Sequence, residues 1–279
     1  MEDSLMTQNT TTKERTTDNQ LTEDQQKFAN ALTNAFNSRE PLTEADWSDY
    51  APDEATAYKV QEAFTRLKKG EVGGYKVSLT SKQTQDMFDS TEPLYGAEMR
   101  DRFLKAPADV KLNNLMDPLV EVEMCFRAKE DLSPDDTLED LMNKTTVAPA
   151  LEVPDSRFKD WFPSLSKYMV MSDGAVSGLV VYGEEFDTNK FGTVEALENV
   201  TATLYHDNEN LKSGKSSEVL GNPLKSLQWL VKKLDEQGKT LLKDQRVSSG
   251  TFVLPPSLTK GEWHATFDNG LGTVNLNVK

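Results

Sequence analysis

The stretch Pro118-Leu119-Val120-Glu121-Val122-Glu123-Met124-Cys125-Phe126 decides how this chain is read. Val120, Val122, Met124 and Phe126 alternate with Leu119, Glu121, Glu123 and Cys125, which is the period of a β-strand. Glu121 and Glu123 therefore share one face, roughly 6–7 Å apart along the strand. Glu-x-Glu on a strand is ordinarily the wet side of an antiparallel sheet. Here the neighbours on that side are Leu119 and Cys125, which a solvated face does not normally carry. Two carboxylates at this spacing can converge on one hard cation.

A third carboxylate stands in similar surroundings. Glu152 lies in Ala148-Pro149-Ala150-Leu151-Glu152-Val153, a second strand of buried character with no adjacent Lys or Arg. Buried charges are usually paired or metal-bound. An all-carboxylate set selects Mg²⁺ or Mn²⁺ over Zn²⁺, and three carboxylates leave coordination positions for a chelating substrate. Lys76 sits in mid-strand among Gly73, Gly74, Tyr75 and Val77. It reads either as a proton carrier with a perturbed pKa or as an ion-pair partner for one of the glutamates.

The bulk composition frames these residues. The chain has 279 residues, 46 acidic against 31 basic, for a net charge of −15. Nucleic acid and anionic membrane surfaces need clustered Lys and Arg, so both are poor partners. The single cysteine, Cys125, excludes an intrachain disulfide and reads as a small buried hydrophobe rather than a nucleophile. No apolar run is long enough for a transmembrane helix, and the N-terminus has no apolar signal region, so a cytoplasmic protein is expected. His206, in a hairpin beside Asp207, and His264, in the exposed phase of a late strand, belong to no triad pattern.

Residues 1–20 hold few apolar side chains and read as a disordered tail. A single domain is expected over 21–279, with a helical region at 21–72 and a β-rich core at 73–279. Capping patterns predict helices over about 22–38 and from Asp53 to Gly70, and a short one after Thr80-Ser81-Lys82-Gln83. Further helices are expected at about 135–143 and from Asn222-Pro223 to Gly238. Strands are expected at 73–79, 147–153, 177–182 and 200–206, then at 246–253, 262–268 and 271–278. Asp155-Ser156-Arg157 reads as a turn held by an Asp–Arg pair. Helices gather at the front and strands dominate after residue 110, so the fold class is α+β.

Six ordered blocks then resemble one family: Gly74-Tyr75-Lys76-Val77-Ser78-Leu79-Thr80-Ser81-Lys82, Pro93-Leu94-Tyr95-Gly96, Val120-Glu121-Val122-Glu123, Leu151-Glu152-Val153-Pro154-Asp155-Ser156-Arg157, Leu220-Gly221-Asn222-Pro223-Leu224 and Leu271-Gly272-Thr273-Val274. They resemble the 2-keto-4-pentenoate hydratase / 2-oxohex-3-enedioate (4-oxalocrotonate) decarboxylase family, within the fumarylacetoacetate hydrolase-like superfamily. The resemblance implies a mixed β-roll, a Mg²⁺ or Mn²⁺ cofactor, a small 2-oxo or 2-hydroxydienoate acid substrate and a homo-oligomer. It assigns Glu121, Glu123 and Glu152 as metal ligands and Lys76 as the active-site lysine. Asp173 and Ser177 fall where the family usually reads Asp-Asn-Ala-Ser, and Thr251 in its last pocket-lining strand, which implies substrate-binding roles. Leu94 stands where hydratases usually carry an Asp, Gly174 where Asn is usual, and Ser78 where Gly is usual. Hydration of a 2-hydroxy-2,4-dienoate is the first reading and decarboxylation of 2-oxohex-3-enedioate the second. An acylpyruvate C–C hydrolase and a non-catalytic binding protein of the same fold stand further off.

Overall fold

A computed structural model describes residues 21–279. The tail expected over 1–20 lies outside the described residues. Helices α1 (Glu23–Ser38) and α2 (Glu54–Leu67) come first. Thr22 caps α1 in a capping box with Gln25, and Asp53 caps α2 through the amide of Thr56. Each cap satisfies amides that the first turn leaves free. Phe28, Leu32, Val60 and Phe64 lie on the apolar stripes of the two helices and are buried in the core.

The chain continues through β1 (Val72–Ser78), α3 (Lys82–Met87), β2 (Leu94–Met99), β3 (Phe103–Lys105), β4 (Ala108–Val110), β5 (Glu121–Ala128), α4 (Leu138–Asn143), β6 (Thr145–Val153), α5 (Lys167–Ser172), β7 (Leu179–Tyr182) and β8 (Phe186–Asp187). It closes with β9 (Thr201–His206), β10 (Glu209–Lys215), α6 (Pro223–Glu236), β11 (Arg246–Ser248), β12 (Gly261–Phe267) and β13 (Gly272–Val278). The larger sheet runs β2-β1-β11-β5-β6-β7-β3, with β8 paired to β6. The smaller runs β10-β9-β12-β13-β4, and β12 and β13 pack against β6. This is the expected α+β class, with mixed sheets and peripheral helices.

Pairing in the larger sheet is mostly antiparallel, with β1–β11 and β3–β7 parallel. Lys76 on β1 meets Glu152 on β6 as an ion pair, although β11 and β5 lie between their strands. Three strand spacings in a flat sheet would separate them by about 14 Å. The sheet is therefore curled, and Lys76 and the glutamates project into its concave side. The opposite phase of β5, carrying Val122, Met124 and Phe126, faces the main core. Each such side chain contributes about 1.5–3 kcal/mol through burial. On the concave side Cys125, Ala150 and Val180 form a small separate apolar cluster. Cys125 is buried, and burial pushes its thiol up to about 12, which leaves it without nucleophilic character.

Several boundaries differ from the sequence reading. The capping box before α3 is Ser81 with Thr84, one residue later than Thr80 with Gln83. Thr80 is instead buried, with its carbonyl bonded to the amide of Leu220. Helix α4 starts at Leu138 behind a Thr137 cap, because Asp136 is occupied with the Ser133 amide and Lys144. Strand β11 ends at Ser248 rather than 253. Past Ser248 the amides of Ser249 and Phe252 still donate to the carbonyls of Met124 and Val122 on β5, but the Gly250 amide between them donates to the Glu123 carboxylate and interrupts the ladder. Asp155 and Arg157 do not pair with each other. Asp155 accepts from the amides of Met116 and Asp117, and Arg157 pairs with Asp173.

Candidate metal centre and active site

The site begins with strand register. Glu121 stands directly opposite Glu152 across the antiparallel β5–β6 pair, and Glu123 opposite Ala150. Side chains opposite one another share a face, so all three carboxylates converge. One oxygen from each lies within 4.8 Å of the other two. Glu123 and Glu152 are buried, and Glu121 is half-buried at the cavity end.

Glu123 is held from behind. The Ser248 hydroxyl and the Gly250 amide both donate to its Oε2, at 2.6 and 2.8 Å. These two donors fix the carboxylate and leave its other oxygen for a ligand. Glu152 is buried, and the Lys76 ammonium is the counter-charge against it. One lysine against three gathered carboxylates leaves excess buried negative charge, which is costly in a folded chain, and a cation at the convergence point offsets it. The donor set is entirely oxygen and anionic, the chemistry of a hard divalent ion. On these grounds the residues present fit a divalent metal.

Electrostatics agree with the geometry. Burial, then the charge of Glu152, raises the Glu121 carboxyl to about 8. Burial and the neighbouring Glu152 and Glu121 raise Glu123 well above the carboxylate range, against the two hydrogen bonds from behind. Burial works against the charge on Lys76, but Glu152 and then Glu121 outweigh it and raise its pKa. Lys76 is thus a buried cation held by the glutamates. Both expectations for this residue, ion-pair partner and proton carrier at the site, remain compatible with that position.

A narrow cavity of about 50 Å³ opens in front of the carboxylates. Glu121, Glu123 and Thr251 line it together with the aromatic side chains of Phe88, Trp161 and Phe162. Thr251 is therefore brought to the site. Asp173 and Ser177 are not among its lining residues. Asp173 is fully buried and holds Arg157 through its carboxylate, with further bonds from the Ser156 hydroxyl and the Arg157 amide. Arg157 also donates to the carbonyls of Asp173 and Ser177, so this cluster knits the loop after β6 to the turn after α5. The Ser177 hydroxyl accepts from Lys68 Nζ at 3.0 Å. Burial, and then the nearby Arg157 charge, lowers Lys68 to about 8.

Gly174 adopts φ +68°, a left-handed conformation open to glycine and asparagine. Glycine in place of the family's usual asparagine therefore keeps the turn. A Cβ on Gly96, opposite Lys76, would lie 1.8 Å from the Gly174 carbonyl oxygen. Bare backbone at Gly96 is what lets this turn pack over β2. The sequence reading missed Ser248, Gly250, Trp161, Phe162 and the buried Glu98. Glu98 lay in an otherwise uncharged strand, the signal that singled out Glu152. The others were invisible because their roles depend on tertiary contacts: Ser248 and Gly250 reach Glu123 through the pairing of β11 with β5, and Trp161 and Phe162 reach the cavity through packing.

No family model matches the chain. It is 30% identical over 230 residues to a 2-oxo-hept-4-ene-1,7-dioate hydratase of Escherichia coli, covering 78% of this chain and 84% of that protein. It is 30% identical over 227 residues to a 2-keto-4-pentenoate hydratase of Burkholderia vietnamiensis, covering 80% and 85%. Among solved structures, the 4-oxalocrotonate decarboxylase of Pseudomonas putida G7, complexed with magnesium and adipate, superposes with a TM-score of 0.84 at 23% identity, covering 93% of this chain and 99% of that one. A fumarylpyruvate hydrolase of Pseudomonas aeruginosa in complex with Mn²⁺ and pyruvate shares the fold more distantly, with a TM-score of 0.57 at 14% identity over 73% of this chain and 88% of that one. Sequence identity across most of both chains, on a fumarylacetoacetate hydrolase-like fold, makes this chain a lyase of the 2-keto-4-pentenoate hydratase / 4-oxalocrotonate decarboxylase family.

Proposed function

We propose that this protein hydrates a 2-hydroxy-2,4-dienoate of the 2-oxo-4-pentenoate type to a 4-hydroxy-2-oxo acid, using Mg²⁺ or Mn²⁺. The observation that carries the reading is the convergence of Glu121, Glu123 and Glu152, with Lys76 paired to Glu152, beside a cavity that Glu121 and Glu123 line together with apolar side chains. Glu121, Glu123 and Glu152 would hold the ion, and its Lewis acidity toward the carboxylate and 2-oxygen of a 2-oxo acid is the chemistry it supplies.

The remaining work falls to the chain. Lys76 carries a proton in a site closed to bulk water and moves it at C3 or C5 of the substrate, or at the attacking water. The net change is one water: hydroxyl at C4 and hydrogens at C3 and C5, with the enol returning to the ketone. Thr251 orients the substrate chain, and Trp161 and Phe162 exclude solvent. Ser248 and Gly250 keep Glu123 in the geometry that the ion requires. A small acid is the partner, and assembly as a homo-oligomer belongs to the same proposal. Light scattering of the purified protein tests the assembly.

Leu94 favours a second reading, decarboxylation of 2-oxohex-3-enedioate. It is fully buried, pairs with Ser78 on the Lys76 face of β1 and β2, and supplies no acid where hydratases usually carry one. His206 and His264 lie on β9 and β12 of the other sheet, stacked on Trp263 and Tyr205, so they give no support to a Glu–His hydrolase. Purified protein with Mg²⁺ is offered 2-hydroxypenta-2,4-dienoate and 2-oxohex-3-enedioate separately. Hydration of the first supports the proposal. Release of CO₂ from the second with no hydration of the first overturns it.

A further inference from the structure

Glu98 on β2 is a buried carboxylate with no part in the site described above. It is 2% exposed. Its Oε1 accepts from the Met99 amide at 3.2 Å, and its Oε2 is buried with no hydrogen-bond partner. Among the described residues, no Lys or Arg is bonded to it. A buried carboxylate oxygen left unpaired is costly in a folded chain, so Glu98 needs a cation in some state of the protein.

Two buried ammoniums stand near it. Lys68 Nζ donates to the Ser177 hydroxyl and lies over the Phe64 ring at 4.1 Å. Lys76 is paired with Glu152. In the β1–β2 ladder Lys76 stands opposite Gly96, and Glu98 opposite Gly74. Lys76 and Glu98 therefore project from the same face as diagonal neighbours, about 7–8 Å apart and within reach of long side chains. Both opposing positions are glycine, so neither ladder partner brings a side chain, and the Gly174 carbonyl packs over Gly96. Burial raises the Glu98 carboxyl above its ordinary value, and the charges of Lys68 and then Lys76 act against that.

The metal-free and metal-loaded sites make different demands on Lys76. Without an ion, its ammonium offsets the gathered glutamates. A divalent ion held by Glu121, Glu123 and Glu152 takes over that task and repels the ammonium from Glu152. An ammonium that left Glu152 with no new counter-charge would be a buried, unpaired cation. Glu98 offers that counter-charge on β2, which borders β1 on the side away from β11 and β5.

We propose that Glu98 is a positioning residue, the second counter-ion of Lys76, which receives the ammonium from Glu152 when the three glutamates hold a divalent ion. The proposal rests on the metal centre described above and adds the residue that frees Glu152 for it. Lys76 stays protonated throughout, and only its partner changes.

Calorimetry of Mg²⁺ binding to the wild-type protein, Glu98→Gln, Lys76→Met and the double variant tests this. Glu98→Gln leaves Lys76 on Glu152 as a competitor, so it is expected to weaken Mg²⁺ binding at least tenfold. With Lys76 removed there is no ammonium to receive, and adding Glu98→Gln to Lys76→Met is expected to change the affinity less than threefold. An unchanged affinity in Glu98→Gln, or equal losses in both backgrounds, overturns the proposal and leaves the metal centre standing. Absence of Mg²⁺ binding by the wild-type protein overturns the metal centre and the proposal together. Lysine side-chain NMR of the wild-type protein gives a second measurement, which does not depend on a Glu98 variant folding. On Mg²⁺ addition the Nζ signals of Lys76 and Lys68 are expected to shift together, because both neighbour Glu98. Mg²⁺ uptake with the Lys68 signal unmoved overturns the assignment.

Discussion

Glu121 and Glu152 are direct partners across the β5–β6 ladder, two carboxylates on one face at the closest separation that a sheet offers. Like charges in that position repel. Lys76, reaching in from β1, is the side chain that offsets them in the absence of a metal.

Removing that lysine therefore has two separable effects. Lys76→Met is expected to lower kcat at least a hundredfold through loss of the proton carrier. It also leaves buried carboxylates without their cation, so the metal-free variant is destabilised by about 3–5 kcal/mol. Chemical denaturation with and without Mg²⁺ checks this, because the ion should restore stability but not turnover. A Lys76→Met protein with normal turnover would remove Lys76 from the chemistry.

Ser248 acts through Glu123. Ser248→Ala removes the 2.6 Å bond to Glu123 Oε2 and leaves the Gly250 amide in place. Losses of this kind weaken metal binding about 10–100-fold. The expected outcome is weaker Mg²⁺ binding in calorimetry, with substrate KM at saturating Mg²⁺ little changed.

The pH dependence follows from the raised Glu121 carboxyl. Its ordinary value is 4.5, and in the fold it lies at about 8. A carboxyl raised on folding contributes stability that is fully present below pH 4.5 and lost as pH rises through about 8. Metal-free protein should thus lose stability across that window. A metal needs the ionised carboxylates, so its binding releases protons and tightens with pH, by about tenfold per unit for each proton released. Thermal melts in chelator and in Mg²⁺ from pH 5 to pH 9 should diverge, with the gap widest at the alkaline end. A gap independent of pH contradicts the coupling.

Asp173 gives a contrasting expectation. It sits in a buried ion pair with Arg157 and takes two further hydrogen bonds. Asp173→Ala leaves the guanidinium buried without its partner and should cost about 3–5 kcal/mol. Urea unfolding measures this. If stability is unchanged while substrate KM rises sharply, Asp173 contacts substrate, as its place in the family motif implies.

Most of the secondary structure was legible from local signals, because caps and apolar periodicity act within a few residues. Thr22 with Gln25, Asp53, and Asn222 before Pro223 each mark a helix start that the structure reproduces. The misjudged boundaries arose where a side chain had a distant partner. Thr80 turns inward, leaving the cap to Ser81, and β11 stops early because Glu123 captures the backbone after it. Arg157 beside Asp155 suggested a local pair, whereas the buried partner lies sixteen positions away at Asp173.

The sequence by itself determined that Glu121 and Glu123 share a face, because strand periodicity is a property of the backbone alone. It also marked Glu152 and Lys76 as charges among apolar neighbours, and its ordered motifs pointed to the family. Only the tertiary structure decided that Glu121 and Glu152 are partners, since register depends on which strands pair. Only the curl of the sheet brought Lys76 to Glu152 across two intervening strands. The aromatic lining of the cavity comes from Phe88, Trp161 and Phe162, on segments far apart in the chain. Their meeting is set by packing, which no local pattern encodes.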